Sequence, residues 1–248
     1  MFNYIILGII QGLTEFLPVS SSAHLVIMQR MLGIHGEEVI ISVVLHLGTA
    51  AALCIFFFKD ILTWLRNSKM LGLLAATTLV TAAIGVAGKR FFESLFSSVF
   101  AVGIALMVTG VILILTRRFK PGREGKDLNI KDALILGLTQ GLAIIPGISR
   151  SGITISTLLF RKMDRETSFR FSFISAIPVI LGAALLKARD IGDFSWAHIH
   201  DLSVGFIASL VFGLISLKVV KIFLSRAKLH YFGYYCILAA ILTLLFLA

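Results

Sequence analysis

The apolar positions of this chain come in long unbroken runs. Val39–Phe58, Leu71–Gly88, Ser97–Thr116, Phe169–Leu186, Leu202–Leu217 and Tyr231–Ala248 contain few or no charges. Each is long enough, or nearly so, to cross about 30 Å of hydrocarbon as a helix. Two further apolar stretches are shorter. Each breaks at a proline and a serine-rich turn, Pro18-Val19-Ser20-Ser21-Ser22 and Pro146-Gly147-Ile148-Ser149-Arg150-Ser151, and then resumes. Pieces that short do not span alone, and they predict re-entrant helical hairpins.

The hairpins are copies. Ile6-Leu7-Gly8-Ile9-Ile10-Gln11-Gly12-Leu13 matches Ile135-Leu136-Gly137-Leu138-Thr139-Gln140-Gly141-Leu142 at six of eight positions, at a spacing of 129 residues. That identity marks an internal duplication. Three spans follow each hairpin. Three is odd, so the second copy lies upside down relative to the first, an inverted-topology repeat. The expected fold is an all-α polytopic membrane protein with six transmembrane helices and two re-entrant hairpins. The first repeat covers 1–116, with a hairpin at 3–33 and spans near 39–58, 70–88 and 96–116. A polar linker covers 117–131. The second repeat covers 132–248, with a hairpin at 132–162 and spans near 168–187, 202–224 and 229–248.

Composition agrees: 58% of the 248 residues are hydrophobic, and mean hydropathy is +0.97. The net charge of +10 does not indicate nucleic acid, because the basic residues sit in short loops between apolar runs. In the expected topology, 59–69, 117–131, 161–170 and 218–228 share one face and hold 17 of the 23 Lys and Arg. The face holding the N-terminus has five: Arg30, Lys89, Arg90, Lys187 and Arg189. An excess of positive charge marks the cytoplasmic face, so the linker is cytoplasmic and both termini face outward. Loop cations also suit anionic lipid headgroups. No Lys or Arg precedes Arg30, which argues against a cleaved signal peptide and makes 1–33 structural. Cys54 and Cys236 both lie in apolar runs and read as core residues rather than a disulfide or metal pair.

Inverted hairpins meet near the midplane and expose helix ends there, which favours anions. The residues at the breaks extend this. Glu15 is the one acid among the first 36 residues, and Gln11 lies one helical turn before it. A carboxylate inside a membrane is costly and marks function. Here it is suited to bind Mg²⁺ or Ca²⁺, with Gln11 beside it, or to act as a general base. Ser20, Ser21 and Ser22 offer hydroxyls for a helix cap or a nucleophile, and His24 follows as a nearby acid/base group. Arg150 is the one basic residue that belongs to no surface loop. It lies among Ser149, Ser151 and Thr154, with Gly147 and Gly152 permitting close backbone approach to a ligand. Its planar fork fits phosphate bidentately. Repeat symmetry faces the two sets toward each other, as phosphoryl transfer requires. His46, mid-span, reads as a core or interhelical hydrogen-bonding residue. His35, His198, His200 and His230 read as loop or interface residues, and Asp190, Asp193 and Asp201 as a solvated outer loop.

Gln11-Gly12-Leu13-Thr14-Glu15 followed by Phe16-Leu17-Pro18-Val19-Ser20-Ser21, and Pro146–Thr154, resemble the two motifs of the undecaprenyl-diphosphate phosphatase, or bacitracin-resistance, family. Phe171–Pro178 also resembles it, and the likeness runs end to end. The resemblance implies a membrane enzyme of six spans and two hairpins, often a homodimer, in the bacterial inner membrane, with its site open to the outside. It implies a C55 isoprenyl diphosphate substrate cleaved to the monophosphate and inorganic phosphate, recycling a cell-wall lipid carrier with help from Mg²⁺ or Ca²⁺. It implies Ser21 as candidate nucleophile, His24 as acid/base, Glu15 with Gln11 as the first motif's acidic pair, and Arg150 holding the diphosphate beside Ser149 and Thr154. Gln11 replaces the commoner Glu, which weakens a two-carboxylate metal site, and Ser22 replaces a common Thr. Either serine or histidine suits the attack on phosphorus. A lipid-phosphate transporter or flippase shares the inverted repeat, but it needs no hydroxyl beside a carboxylate.

Overall fold

The computed structural model describes residues 1–31, 38–96, 98–188 and 199–246. Arg189, Asp190, Asp193, His35, His198 and the end of the first expected hairpin lie outside the described residues. Regular structure in the described residues is helical, apart from one isolated bridge between Arg123 and Met163. The helices are α1 Phe2–Phe16, α2 Ser21–Met31, α3 Glu38–Phe56, α4 Phe58–Leu65, α5 Ser68–Ala87, α6 Lys89–Phe96, α7 Val99–Leu115, α8 Ile130–Leu142, α9 Arg150–Phe160, α10 Arg165–Ala188, α11 Ile199–Ser225 and α12 His230–Phe246. Five of them, α3, α5, the α7 segment, α10 and α11, are long and apolar enough to cross a membrane, and α12 is a shorter apolar helix. Large hydrophobic side chains such as Leu79, Phe100, Leu185, Ile207 and Leu245 are exposed, as a bilayer-facing surface requires. The chain is thus a polytopic helical membrane protein.

Local chemistry sets the helix ends. The Asn67 side chain accepts from the Met70 amide and caps α5, and Ser98 accepts from the Ala101 amide and caps α7. These bonds satisfy amides that no helical carbonyl can reach. Asn129 and Asp132 form a reciprocal capping box at the start of α8. Short helices α4 and α6, which carry Lys59 and Asp60, and Lys89, Arg90 and Glu93, separate the spans of the first half. Hydrophobic patterning does not single them out, because each is a continuation of a neighbouring apolar run into a charged loop.

The halves interlock. Helix α1 packs on α11, and α8, its duplicate, packs on α5. Each hairpin therefore rests on the other half's second long helix. Helix α7 packs on α12, and α3 contacts both α10 and α11. Glycines permit the close approach. A Cβ on Gly12 would lie 2.6 Å from the Ser209 carbonyl oxygen, and one on Gly137 would lie 2.8 Å from that of Thr77. Hydroxyls stitch the same contacts: Ser216 Oγ donates to the Gly12 carbonyl at 2.8 Å, and Thr81 Oγ1 to that of Gly137 at 3.1 Å. Small residues and interhelical hydroxyls are what bring helices together without water.

The basic segments gather at one end. Arg170 pairs with Asp60 at 2.5 Å, Lys69 donates to the Lys126 carbonyl at 2.9 Å, and Arg165 to that of Ser225 at 3.3 Å. There Asp132, fully buried, accepts from Arg123 at 2.7 and 3.0 Å and from Arg161 at 2.8 Å. Burial alone would raise the Asp132 carboxyl, but the two guanidinium bonds outweigh it and hold the group below its ordinary value. At the other end the N-terminal amine pairs with Asp201 at 2.7 Å.

Candidate active site

The two helix breaks are fastened to each other inside the molecule. After α1, Pro18 blocks helix continuation, and Ser20 adopts φ 67°. Its Oγ accepts from the Gly147 amide at 3.2 Å, across the duplication. Gly147 has φ 99°, and its carbonyl accepts from Thr109 Oγ1 at 3.0 Å. The same Thr109 hydroxyl accepts from the Ser149 amide at 3.0 Å. Ser149 then caps α9 by accepting from the Gly152 amide at 3.1 Å. Ser151 Oγ reaches the Leu17 carbonyl at 3.3 Å, and Cys236 Sγ the Pro18 carbonyl at 3.4 Å. Few backbone groups at the break are left open to drift, which fixes the side chains that project from it.

Those side chains meet at Glu15. One carboxylate oxygen pairs with Arg150 Nη2 from the other hairpin. The second accepts from Ser21 Oγ at 2.6 Å and from Gln11 Nε2 at 3.0 Å, with His46 Nε2 3.7 Å away. Glu15 is 6% exposed and Arg150 16%. Burying one charge without the other would be costly, so the pairing accounts for both in an apolar setting. Arg150 Nη1 is buried and has no hydrogen-bond partner among the described residues. A cavity of about 190 Å³ opens onto this cluster. Glu15, Ser20, Ser21, Ser22, Ser149, Arg150, Ser42, His46, Gln140 and Lys187 line it, with an apolar wall from α10.

Other sequence-predicted residues stand elsewhere. Gln11 lies fully buried beneath Glu15. Thr154 Oγ1 bonds the Arg150 carbonyl at 2.7 Å and Ser172 Oγ at 2.6 Å, so it steadies α9 against α10. Ser151 ties the hairpins together. The protein's own packing requires a glycine at 147: a Cβ there would meet the Val102 carbonyl oxygen at 2.4 Å and Ala105 Cβ at 2.7 Å on α7. A Cβ on Gly152 would lie 3.0 Å from Ser149 and 3.3 Å from Pro18. His24 does not line the cavity. Its Nδ1–H donates to the Ser20 carbonyl at 2.8 Å, and its Nε2 accepts from the Tyr235 hydroxyl at 2.7 Å. The histidine that borders the cavity is His46, whose Nδ1–H donates to the Ser42 carbonyl at 2.7 Å, leaving Nε2 toward Glu15. Of the core and interhelical roles expected for His46, the contact with Glu15 on α1 fits the interhelical one and adds a place at the cavity. Its position inside a long apolar run carries no signal that α1 places a carboxylate beside it.

Comparison with known proteins decides the family. Residues 4–242 match the family model "Bacitracin resistance protein BacA". The chain belongs to that family. A relative from Halothermothrix orenii, named undecaprenyl-diphosphatase, is 40% identical over 252 residues, covering 99% of this chain and 97% of its own. One of the same name from Carboxydothermus hydrogenoformans is 41% identical over 241 residues, covering 94% and 92%. Undecaprenyl-diphosphatase 3 of Bacillus anthracis is 36% identical over 265 residues, covering 100% and 98%.

Among the described residues, no group of three or more His, Cys, Asp or Glu side chains is arranged to hold a metal ion. Glu15 is the single carboxylate at the cluster, and Gln11 Oε1 beside it is buried without a partner. Gln11 turns its amide nitrogen, not its oxygen, toward Glu15 and does not line the cavity, so a hard cation there would have Glu15 alone from the protein and would draw its remaining ligands from substrate phosphates, as Mg²⁺ can.

Proposed function

We infer that the protein is an undecaprenyl-diphosphate phosphatase: it hydrolyses the C55 lipid diphosphate to the monophosphate and inorganic phosphate. The observation that carries this is the convergence of Ser21, Glu15 and Arg150, from opposite halves of the chain, on one cavity. The family and the names of its relatives agree with it.

The reaction follows from the contacts. Ser21 Oγ already donates to Glu15, so the carboxylate is placed to take the proton as Oγ forms a bond to the terminal phosphorus. The bond from that phosphorus to the bridging oxygen breaks, and the lipid monophosphate leaves with the proton that Glu15 took up, which frees the carboxylate to act as base again. Water then attacks the phosphoserine, gives its proton to the base, and releases phosphate as Ser21 recovers its hydrogen. Arg150 stabilises the charge on the transferred group through Nη1. When bound, Mg²⁺ or Ca²⁺ would be held by Glu15 and would neutralise phosphate charge. The serine's bond to the carboxylate supports Ser21 over histidine as nucleophile, and it favours hydrolysis over simple transport.

The finer topology belongs to the same reading. Six spans, counting α12, and two re-entrant hairpins agree with the repeat and with hairpin helices too short to cross. The basic end is cytoplasmic by its charge. The cavity, lined by Lys187 near the opposite end, then opens to the outer face of the plasma membrane. The test is phosphate release from undecaprenyl or farnesyl diphosphate by purified protein in detergent with Mg²⁺ or Ca²⁺. Release that Ser21→Ala abolishes supports the reading. Lipid binding without release in either metal would leave a carrier instead.

A further inference from the structure

We propose that His46 positions the water that hydrolyses the phosphoserine, accepting one of its hydrogens at Nε2 while Glu15 accepts the other. The inference rests on the phosphatase reading for the reaction it serves. Its geometry rests on the contacts of the ring.

Helix α3 places His46 on the wall of the cavity. The Ser42 carbonyl, one turn earlier, can only accept, so the 2.7 Å contact assigns the ring hydrogen to Nδ1. Nε2 of the neutral ring is then an acceptor. It lies 3.7 Å from Glu15 Oε2, which is an acceptor too. That separation is too long for a direct hydrogen bond. One water bridges such a gap, since two bonds of about 2.8 Å span it and water carries two hydrogens. The ring is 29% exposed, and a cavity of about 190 Å³ has room for water at about 30 Å³ each.

The two oxygens of Glu15 have separate tasks. Oε1 is held by Arg150. Oε2 accepts from Ser21 Oγ at 2.6 Å and Gln11 Nε2 at 3.0 Å, and it faces His46. Once Ser21 carries the phosphoryl group it no longer donates, which frees Oε2 to accept from the water. The same oxygen then borders both the incoming water and the leaving oxygen. In this step the water oxygen bonds to phosphorus as the bond from phosphorus to Ser21 Oγ breaks. One water hydrogen passes to Glu15 Oε2 and from there to Ser21 Oγ, and the other stays on the released phosphate. His46 accepts a hydrogen bond and neither gains nor loses a proton. With both hydrogens held at the wall, a lone pair of the water points into the cavity. His24 cannot do this, because both its ring nitrogens are taken. The first step uses no water, so His46 is a positioning residue for the second step alone.

The test separates the two steps. Farnesyl diphosphate labelled at its terminal phosphate would be mixed rapidly with purified full-length wild type, His46→Asn and His46→Gln in detergent with Mg²⁺. Asn keeps a donor for the Ser42 carbonyl but reaches no further than Nδ1, whereas Gln puts an amide at the level of Nε2. A misplaced water predicts turnover in His46→Asn about 10²-fold below wild type. A burst of about one farnesyl monophosphate per site should persist at the wild-type rate, with the label trapped on Ser21. His46→Gln should recover turnover to within about tenfold and shed the label. His46→Phe, which keeps the shape of the ring, repeats the measurement should His46→Asn not fold. Wild-type turnover in these variants would overturn the inference, and so would an equal loss of burst and turnover with no label held. A wild type that forms neither monophosphate nor phosphate would instead sink the phosphatase reading on which the inference stands.

Discussion

The hairpin of α1 and α2 and its counterpart of α8 and α9 share the positions that seat them and differ at a few polar and charged ones. At a spacing of 129 residues, Gly8 and Gly12 correspond to Gly137 and Gly141, Gln11 to Gln140, and Ser20 to Ser149. These matched positions do scaffold work. The glycines seat each hairpin on a helix of the other half, and both glutamines are buried with one amide oxygen unpartnered. The mismatches are where the two differ in charge and polarity. Glu15 corresponds to Ile144, Ser21 to Arg150, and His24 to Ile153. Duplication gave two equivalent cradles pointing at one point. Divergence then put the carboxylate and the hydroxyl on one and the guanidinium on the other, so that neither half forms the cluster alone.

The largest test of that division is Arg150→Ala. It removes the charge clamp supplied by the second hairpin, and it leaves Glu15 buried without its counterion. Phosphate release should fall by about 10³-fold or more. Thermal stability should fall too, because a buried charge stripped of its partner costs about 3–5 kcal/mol. Arg150→Lys should recover the stability more than the activity, since a point charge cannot replace a planar fork at a phosphate. Full activity in Arg150→Ala would mean that the two hairpins do not share one site.

A second contrast lies at the basic end. The second hairpin starts with Asp132 clamped between Arg123 and Arg161, whereas the first has Asn3 at the equivalent place. Asp132→Asn should therefore destabilise the protein by about 3 kcal/mol with little change in KM. The pH dependence follows from the lowered titration of Asp132. Its folded value lies below its unfolded one, near 4. Its contribution is then complete above about pH 4 and is lost as pH falls through the folded value. Melting curves of wild type and Asp132→Asn in detergent should differ at pH 7 and converge in acid. A constant difference across that range would remove the ion cluster as the cause.

Glycine substitutions probe the shared scaffold and should be smaller. A Cβ on Gly12 meets backbone, at 2.6 Å from Ser209 O and 2.8 Å from Gly213 N. One on Gly141 meets the Ile84 side chain, at 2.6 Å from Cδ1. Overpacking costs about 1–3 kcal/mol. Gly12→Ala should lie at the upper end, because backbone cannot step aside, and Gly141→Ala at the lower. Gly182 serves as the control, since a Cβ there would find nothing within 4 Å. Gly182→Ala should be neutral or slightly stabilising. Equal losses at Gly12 and Gly141 would show that the two cradles are equally tight.

Much of this is legible in the residues, for physical reasons that also mark the limits. Glu15 and Arg150 stand out because charge inside apolar runs is costly and must be explained. The repeat stands out because identity at fixed spacing needs no structure. The helical membrane class follows from the length of the apolar runs. His46 is not legible, because a histidine in an apolar run looks the same whether it meets a carboxylate or a carbonyl. Its role depends on how α1 packs on α3. Lys187 reads as one of five cations on its face, since topology counts charge without saying where a side chain points. Gly147 is recognisable as a place of close approach, but the approaching group is α7, which lies some 40 residues earlier in the chain.

Tyr235 is invisible for the same reason, lying 211 residues from His24, and it frames the smallest effect. His24 has Ile153 at the equivalent place in the second hairpin. Its two ring nitrogens are taken up by the Ser20 carbonyl and the Tyr235 hydroxyl. Held this way, the ring braces the backbone that carries Ser21 rather than facing the cavity. Tyr235→Phe removes one neutral hydrogen bond, worth about 1 kcal/mol, and keeps the ring stacked on His24. Activity should fall only about fivefold, with the loss in kcat as Ser21 is held less firmly, and with KM for the lipid diphosphate little changed. A loss as deep as that of Arg150→Ala would mean that His24 turns to the substrate during turnover. The asymmetry between the hairpins would then extend one helical turn further than the resting contacts place it.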